Sequence, residues 1–260
     1  MTRLALLGGI YSNYRALETA LRQIEQRGAD GIYCLGDLGA FGPYPDRVYP
    51  LLRSRGVECI QGNYDNSLAG GLADCQCGYT DPRDNYFARL SYAYTFENTS
   101  VENKAWLASL PMTRRLEVEG WRILLCHGSP RKLNEFLWES TSSDAFLEYL
   151  LRLADADIVA VTHTGIKWHR RLSAGRQFIN VGVLGRPENN GLTHVVYAEL
   201  SLERDAAKVE FVPVEYDFRA LAADMAEEKL PPEFIETILT GWWTTCLEIL
   251  PHKERAHGRF

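Results

Sequence analysis

The sequence has no long hydrophobic run and no large excess of charge of one sign. No stretch of about 18 apolar residues occurs, so we predict no membrane-spanning helix. Lys and Arg number 28 against 34 Asp and Glu, and the formal net charge is −6. A general nucleic-acid groove needs clustered basic residues to neutralise phosphates. The two basic clusters, Arg114-Arg115 and 167–171, are small, and we interpret them as solvated loops or strand ends.

Cysteine is also too scattered for a structural framework. There are six cysteines, and the one close pair, Cys75 and Cys77, has no second pair that would complete a zinc pattern. The pair either enters a cleft or is partly buried without a special role. Residues 1–13 carry one basic residue and no small-residue cleavage site, so we interpret them as a first strand and expect a cytoplasmic location. A disulfide framework is not expected in a cytoplasmic protein of this size.

What is present is the composition of an ordinary globular protein. The chain has 260 residues, of which 46% are hydrophobic and 24% charged, and this excludes collagen-like, low-complexity and disordered classes. The length suits one large domain, or one domain with an appendage, around a sizeable core.

The N-terminal half alternates short apolar runs with amphipathic segments. This order predicts an α/β fold with parallel strands and right-handed crossovers. The predicted strands are 3–7, 31–35 and 57–60, and the predicted helices are 14–26 and 46–55.

The remainder of the chain is predicted in less detail. Residues 70–111 are aromatic-rich and less periodic, which indicates a helical cap or long loops over the sheet edge. Strands are predicted at 122–126 and 158–162, and three more are predicted to form a second, more antiparallel sheet: 177–181, 194–199 and 209–213. After residue 216 the pattern is helical, at 218–228 and 233–239, and we expect a docked extension.

Potential metal ligands follow the predicted strands. In parallel sheets the chemistry collects in the loops past the carboxyl ends of the strands. Such loops here supply four donors: Asp37, Asn63, His127 and His163. One carboxylate, one amide oxygen and two imidazoles suit Mn, Fe, Zn, Ni or Co better than Ca. The sequence therefore predicts a metal centre.

The order of these motifs resembles that of the calcineurin-like metallophosphoesterases, in particular their small bacterial branch. The family pattern is D-x-H, G-D, G-N-H-[DE], H and G-H-x-H, and the matching stretches are 9–11, 36–37, 62–65, 126–127 and 162–165. The resemblance covers roughly residues 3–215. It implies a two-sheet β-sandwich flanked by helices in four α/β/β/α layers. It also implies a domain over 1–215, with 70–111 as its cap or loop insertion and 216–260 as a helical extension.

The resemblance further implies two-metal hydrolysis of phosphoesters, in which two cations polarise the phosphoryl oxygens and activate a water. The positions that match ligands of the second metal are intact: Asp37, Asn63, His127 and His163. The positions that match the private ligands of the first metal are not ligands: Gly9, Tyr11 and Gly165. We therefore expect one well-formed site, that of the second metal, whereas the site of the first metal is in doubt.

Two residues are candidate catalytic groups. Tyr64 stands where the family has a histidine that contacts phosphate, and Asp65 follows it. Tyr64 and Tyr11 either donate hydrogen bonds to a phosphate, or ligate Fe(III) as phenolates, or simply fill the space of the missing imidazoles and metal. Asp65 either orients a water or ligand, or caps its loop.

The candidate substrate-binding residues are Tyr11, Asn13, Arg131 and Arg186. The two arginines lie just beyond site strands, where a guanidinium either grips phosphate bidentately or forms a salt bridge at a loop end. The tail carries adjacent tryptophans, Trp242 and Trp243, which pack on the core, line a substrate cleft or form a contact between copies of the chain in a homo-oligomer.

The resemblance to the family favours metal-dependent hydrolysis of a small phosphorylated or nucleotide-like substrate, either a phosphomonoester or a phosphodiester. The missing ligands favour two other hypotheses, a metal- or phosphate-binding sensor and a different metal-assisted reaction. Because the first metal and the histidine at position 64 are missing, we expect weak hydrolysis of ordinary phosphoesters.

Overall fold

The computed structural model describes residues 1–255, which form two five-stranded sheets. In spatial order, the first sheet contains β10 (Ala206–Val214), β9 (Val195–Glu203), β1 (Thr2–Leu7), β2 (Gly31–Cys34) and β3 (Glu58–Cys59). The second contains β4 (Thr113–Val118), β5 (Trp121–Cys126), β6 (Ile158–Val161), β8 (Gln177–Asn180) and β7 (Trp168–Arg171). The strands β1, β2 and β3 are parallel, as are β5, β6 and β8.

Helices flank both sheets. They are α1 (Tyr14–Arg27), α2 (Val48–Ser54), α3 (Asn63–Gly70), α4 (Pro82–Glu97), α5 (Val101–Ala108), α6 (Asp144–Ala154), α7 (Phe218–Glu227), α8 (Pro232–Thr240) and the single turn α9 (His252–Arg255). Short 3₁₀ turns lie at Pro45–Arg47 and Ser173–Gly175. Within residues 1–255, no helix combines the length and the apolar composition that crossing a membrane requires.

The alternation of side chains along the strands produces four layers. In β1, Leu4 and Leu6 pack in the core between the two sheets, whereas Ala5 and Leu7 pack in the cluster that contains α1. In β6, alternate residues likewise point to the sheet interface and to α6. This follows from the two-residue period of a strand, and it confirms the predicted α/β/β/α sandwich.

Helix α1 shows why the first crossover forms. Its residues Leu17, Leu21 and Ile24 recur at helical spacing and are buried in the core. The side chain of Asn13 accepts a hydrogen bond from the amide of Ala16 and caps the helix start. The helix ends at Gly28, and the chain then enters β2 beside β1.

The predicted membership of the second sheet is partly wrong. Of the three strands assigned to it, β8 does lie there, but it is parallel to β6. The hairpin of β9 and β10 instead completes the first sheet, because β9 pairs antiparallel with the free edge of β1. The charged strands β4 and β7, which close the edges of the second sheet, were not predicted.

The segment 70–111 and the chain after residue 216 are mainly helical. Helices α4 and α5 fill most of the former, so its helical alternative is correct. Helices α7 and α8 bury Leu221, Met225 and Phe234 in the same cluster as α1. The domain and extension boundaries at residue 215 stay a prediction. Cys75 and Cys77 form a local disulfide, whereas the other cysteines are free and buried.

Candidate metal centre

Four donor atoms converge where the carboxyl ends of β2, β3, β5 and β6 meet. The Nε2 atom of His127 lies 3.1 Å from Oδ1 of Asn63, 3.1 Å from Nδ1 of His163 and 3.3 Å from Oδ2 of Asp37. All four residues are buried. The sequence prediction that these loops meet therefore agrees with the geometry, and the carboxylate and both imidazoles form one potential metal-binding group.

The loops approach so closely that position 62 requires glycine. A Cβ atom on Gly62 would lie 2.2 Å from Oδ1 of Asp37 and 2.8 Å from Cε1 of His127. Either distance is shorter than any non-bonded contact of a real Cβ atom. The glycine thus permits the backbone before Asn63 to touch the loop that carries Asp37.

Hydrogen bonds outside the centre orient two of its donors. The Nδ1 atom of His127 lies 2.7 Å from the carbonyl oxygen of Leu35 and donates to it, which leaves the lone pair of Nε2 directed at the centre. The amide nitrogen of Asn63 donates to the carbonyl of Cys75 at 2.8 Å and contacts Sγ of Cys77 at 3.4 Å. Its oxygen therefore points inward.

The donor set fits a divalent cation. Burial disfavours charge on His127, but the Asp37 carboxylate outweighs this and raises the pKa of His127. Burial, assisted by His127, lowers the pKa of His163 to about 3, so this imidazole is neutral. Among residues 1–255, no hydrogen-bond partner is found for the Nε2 atom of His163. Ligands about 2.1 Å from a metal are separated by about 3.0–3.4 Å in octahedral or tetrahedral sites. The three separations measured from Nε2 of His127 lie in this range.

Asp65 joins the two loops that carry Asp37 and Asn63. Its carboxylate accepts hydrogen bonds from the backbone amides of Asp37 (2.7 Å), Leu38 (3.1 Å) and Gly62 (2.8 Å). Burial, assisted by the Asp37 charge, raises the pKa of Asp65 to about 6. Three backbone donors occupy this carboxylate, so it positions the metal-binding loops in this arrangement.

The hydroxyl of Tyr64 is engaged away from the four donors. It donates to Oγ of Ser91 at 2.9 Å, and its ring packs edge-on against Tyr92. Its backbone amide donates to Oδ1 of Asp37 at 3.1 Å. Burial raises the pKa of Tyr64 well above its ordinary value. Tyr64 thus connects α3 with α4, and a catalytic role stays a prediction.

Aromatic rings fill the positions that match the first metal. A Cβ atom on Gly9 would lie 2.6 Å from the Tyr11 ring, and one on Gly165 would lie 3.0 Å from the Trp243 ring. Asn13 caps α1 and donates to the carbonyl of Gly185 at 3.1 Å, so it braces two loops. Tyr11 packs edge-on against Phe41, and substrate binding by Tyr11 and Asn13 stays a prediction.

The two arginines differ in their surroundings. Arg131 is exposed and forms an ion pair with Glu135, four residues further along the chain. Arg186 is only 5% exposed and lies under the ring of Trp243, with its guanidinium carbon 3.5 Å from the ring centroid. Sequence reasoning considered the tryptophan pair but missed this contact, because no local pattern relates residues so far apart.

Comparisons with known proteins agree with this geometry. A family model described as the calcineurin-like phosphoesterase superfamily domain matches residues 3–203. An uncharacterized protein of Methanocaldococcus jannaschii is 26% identical over 254 residues, covering 92% of this chain and 98% of that protein. The crystal structure of a metallophosphoesterase from Sphaerobacter thermophilus is similar at a TM-score of 0.69 and 26% identity, covering 92% and 99% of the two chains.

A hypothetical protein of Pyrococcus horikoshii OT3 has the same fold. Its crystal structure is similar at a TM-score of 0.78 and 22% identity, covering 94% of this chain and all (100%) of that one. The match of the family model to most of the chain, together with the four converging donors, identifies the family. This chain belongs to the calcineurin-like phosphoesterase superfamily.

Proposed function

We propose that this protein hydrolyses a small phosphorylated substrate, a phosphomonoester, phosphodiester or nucleotide-like ester, at a single metal held by Asp37, Asn63, His127 and His163. The observation that supports this most is that the donor atoms of Asn63, His163 and Asp37 lie 3.1–3.3 Å from the fourth donor, Nε2 of His127. Mn, Fe, Zn, Ni and Co all suit this donor set.

The chain's own residues prepare the site for that reaction. When bound, a divalent ion supplies a Lewis acid for a phosphoryl oxygen and lowers the pKa of a water towards about 7. Leu35 and Cys75 hold His127 and Asn63 in the ligating orientation through their carbonyl oxygens. Phe136 lies against His163, with ring centroids 4.4 Å apart, and shields that side from solvent.

We propose one metal per chain and slow turnover. The matching positions for the first metal offer two glycines and a tyrosine, and rings occupy the space beside them. Without an ion at the position of the first metal, the protein lacks the pair of cations that would stabilise both the attacking and the leaving oxygen. Tyr64 is also a poorer acid than histidine, because burial raises its pKa further.

The burial of the centre supports a second candidate function, a metal- or phosphate-binding sensor without turnover. The exposed fractions of Asp37, Asn63, His127 and His163 are 3%, 1%, 1% and 8%. A substrate reaches such a centre only if the loops around it move. The two functions differ in turnover, so the same preparation tests both.

Metal content and turnover test the proposal. We expect protein purified without chelator to contain one divalent ion per chain, as measured by elemental analysis. His127→Ala removes a donor and should abolish metal binding, whereas His194→Ala, a control near Glu215 at the protein surface, should keep it. We expect slow, metal-dependent hydrolysis of an aryl phosphodiester when Mn²⁺ is supplied.

The outcomes separate the alternatives. Two ions per chain would mean that unrecognised ligands complete the first site. Turnover equal to that of a relative with both sites intact would contradict the expected impairment. One bound metal without turnover on any phosphoester would favour the sensor, and protein that binds no metal would contradict the proposed centre.

A further inference from the structure

Arg186 is a buried cation that forms no ion pair with any residue in the part of the chain that the structure describes. Arg186 is 5% exposed, and within residues 1–255 its Nε atom has no hydrogen-bond partner. Removing an ion from water costs several kcal/mol unless it is paired, and arginine keeps its charge at all ordinary pH values. A buried guanidinium of this kind therefore requires an explanation beyond packing.

The neighbours of Arg186 are aromatic and neutral. Its guanidinium carbon lies 3.5 Å from the ring centroid of Trp243, 4.9 Å from that of Phe41 and 5.9 Å from that of Tyr11. We call these three rings the aromatic cage. Cation–π contacts contribute about 2 kcal/mol or more when desolvated, which offsets only part of the cost of burial.

Three polar groups that interact with Arg186 carry no negative charge. Tyr11, Tyr79 and Cys246 lie within electrostatic reach of Arg186. Burial raises the pKa of each of them above its ordinary value, so all three are neutral near pH 7. The positive charge of Arg186 is therefore available to an incoming ligand.

The cage adjoins the loop that carries His163. A Cβ atom on Gly165, two residues after His163, would lie 3.0 Å from the ring of Trp243 and 3.7 Å from Nη2 of Arg186. The backbone of Tyr11 in turn donates to the carbonyl of Asp37 at 3.2 Å. The cation is thus placed beside the loops of two metal-binding residues.

We propose that Arg186 is the oxyanion subsite of this centre, that it binds the phosphoryl group, and that Trp243 is its positioning residue. A guanidinium is planar and offers paired donors that match two phosphate oxygens. The C-terminal segment 241–250 thereby becomes part of the site. The choice of a phosphoryl ligand rests on the proposed function, whereas the need for an anion rests on Arg186 alone.

The space beside Arg186 predicts a movement on binding. A cavity of about 10 Å³ lies against Gly185, Arg186 and Thr245, with mainly apolar residues of α7 and α8 around it. This volume holds roughly one water molecule. A phosphoryl group is larger, so we expect segment 241–250 to shift and the contact between Trp243 and Arg186 to change.

Titration with orthophosphate tests the subsite. Calorimetry is performed on the full chain as purified and again after chelator treatment, with sodium chloride at matched ionic strength as the control ligand. We expect saturable binding in both preparations. Arg186→Gln should weaken it by at least about tenfold, since hydrogen bonds to charged groups contribute about 1.5–3 kcal/mol. Arg55→Gln, at an exposed arginine already paired with Glu25 and outside the site, should leave it unchanged.

Variants of Trp243 test its positioning role. Trp243→Phe keeps a ring over the guanidinium and should retain phosphate affinity, whereas Trp243→Ala should lose it. We also expect phosphate to change the tryptophan fluorescence of the wild type, and this change should disappear in Trp243→Phe. These measurements test phosphate binding at the subsite even if Arg186→Gln does not fold.

Two results would overturn the subsite. One is wild-type protein that binds no orthophosphate, and the other is Arg186→Gln that binds it as tightly as the wild type. The metal content of Arg186→Gln should equal that of the wild type. If the wild type takes up no metal ion when Mn²⁺ is supplied but still binds phosphate through Arg186, the subsite would be supported and the proposed metal-dependent hydrolysis contradicted, so the two failures are distinguishable.

Discussion

At the scale of single residues, side chains at the centre divide into donors and braces. Asp37, Asn63, His127 and His163 direct lone pairs at one point. Asp65 accepts three backbone hydrogen bonds instead. An aspartate can act as a donor or as a brace, and the hydrogen-bond partners of its side chain show which of the two roles it has.

Tyr64→Phe distinguishes a brace from a catalytic group. Its hydroxyl donates to Ser91 within a buried contact, so the free energy of unfolding should fall by about 1 kcal/mol in urea denaturation. A general acid contributes typically about 10²- to 10⁴-fold to the rate, and we expect the variant to retain most of its phosphodiester turnover.

A matched control lies on α4. The hydroxyl of Tyr92 donates to the carbonyl of Leu72 at 2.8 Å, so Tyr92→Phe should lower stability by a similar amount. If Tyr64→Phe instead lost a hundredfold in turnover while Tyr92→Phe did not, Tyr64 would be the catalytic proton donor, and the bracing role would be secondary.

At the scale of elements, the centre depends on how closely two loops approach. The loop after β3 touches the loop after β2 at Gly62, and Asp65 bonds to both. The parallel pairing of β2 with β3 brings these loops to one edge of the sheet. The arrangement of the candidate metal ligands therefore depends on backbone packing as well as on the ligand side chains themselves.

Gly62→Ala should separate these loops. The added Cβ would lie 2.2 Å from Oδ1 of Asp37, so we expect metal affinity to fall by at least about tenfold, the usual effect of disturbing the support of a ligand. Titration of chelator-treated protein with Mn²⁺ measures this. Overpacking should also cost about 1–3 kcal/mol of stability.

The control variant is Gly28→Ala. This glycine ends α1 at φ 72°, with no atom within 4 Å of an added Cβ. It should lose about 1 kcal/mol from backbone strain and keep its metal affinity. Equal metal affinity in Gly62→Ala and the wild type would show that the close approach of the loops is not needed.

At the scale of the whole molecule, an ion pair joins the first helix to the completed first sheet. Arg27 at the end of α1 contacts Glu199 on β9 at 2.8 Å, and it also contacts Glu210 on β10. The hydrogen bond from Arg27 lowers the pKa of Glu199 below its ordinary value. Glu199 therefore stabilises the fold while it is ionised.

The contribution of Glu199 should depend on pH. Because the folded state has the lower pKa, the stabilisation is present above the unfolded pKa of about 4.3 and is lost as pH falls through the folded value. Glu199→Gln should cost about 1–2 kcal/mol at pH 7, less than for a fully buried pair because Arg27 is partly exposed.

Urea denaturation between pH 7 and pH 3 tests this dependence. The difference between wild type and Glu199→Gln should shrink towards the acid end, and the exposed Glu203→Gln should show no such change. A difference that stays constant with pH would mean that the charge of Glu199 does not contribute.

An α/β fold, the parallel first crossovers and the convergence of Asp37, Asn63, His127 and His163 could be predicted from the sequence. These follow from local periodicity and from the rule that parallel strands end at a shared edge, where their loops must meet. The four layers and the expected loss of the first metal were implied by the resemblance to the family, whose ligand positions are Gly9, Tyr11 and Gly165 in this chain.

Two features could not be predicted and are seen in the folded protein: β9 and β10 join the first sheet, and Trp243 covers Arg186 beside the loop of His163. The alternation of apolar and polar residues in the hairpin is that of any antiparallel strand pair. The hairpin pairs with the free edge of β1 through backbone hydrogen bonds, which do not depend on the side chains and so cannot be predicted from the sequence. The contact of Trp243 with Arg186 depends on how α7 and α8 pack on the core. Such packing is a property of the folded chain. The hydrophobic periodicity of the sequence shows only which face of each element is buried, and not which other element that face contacts.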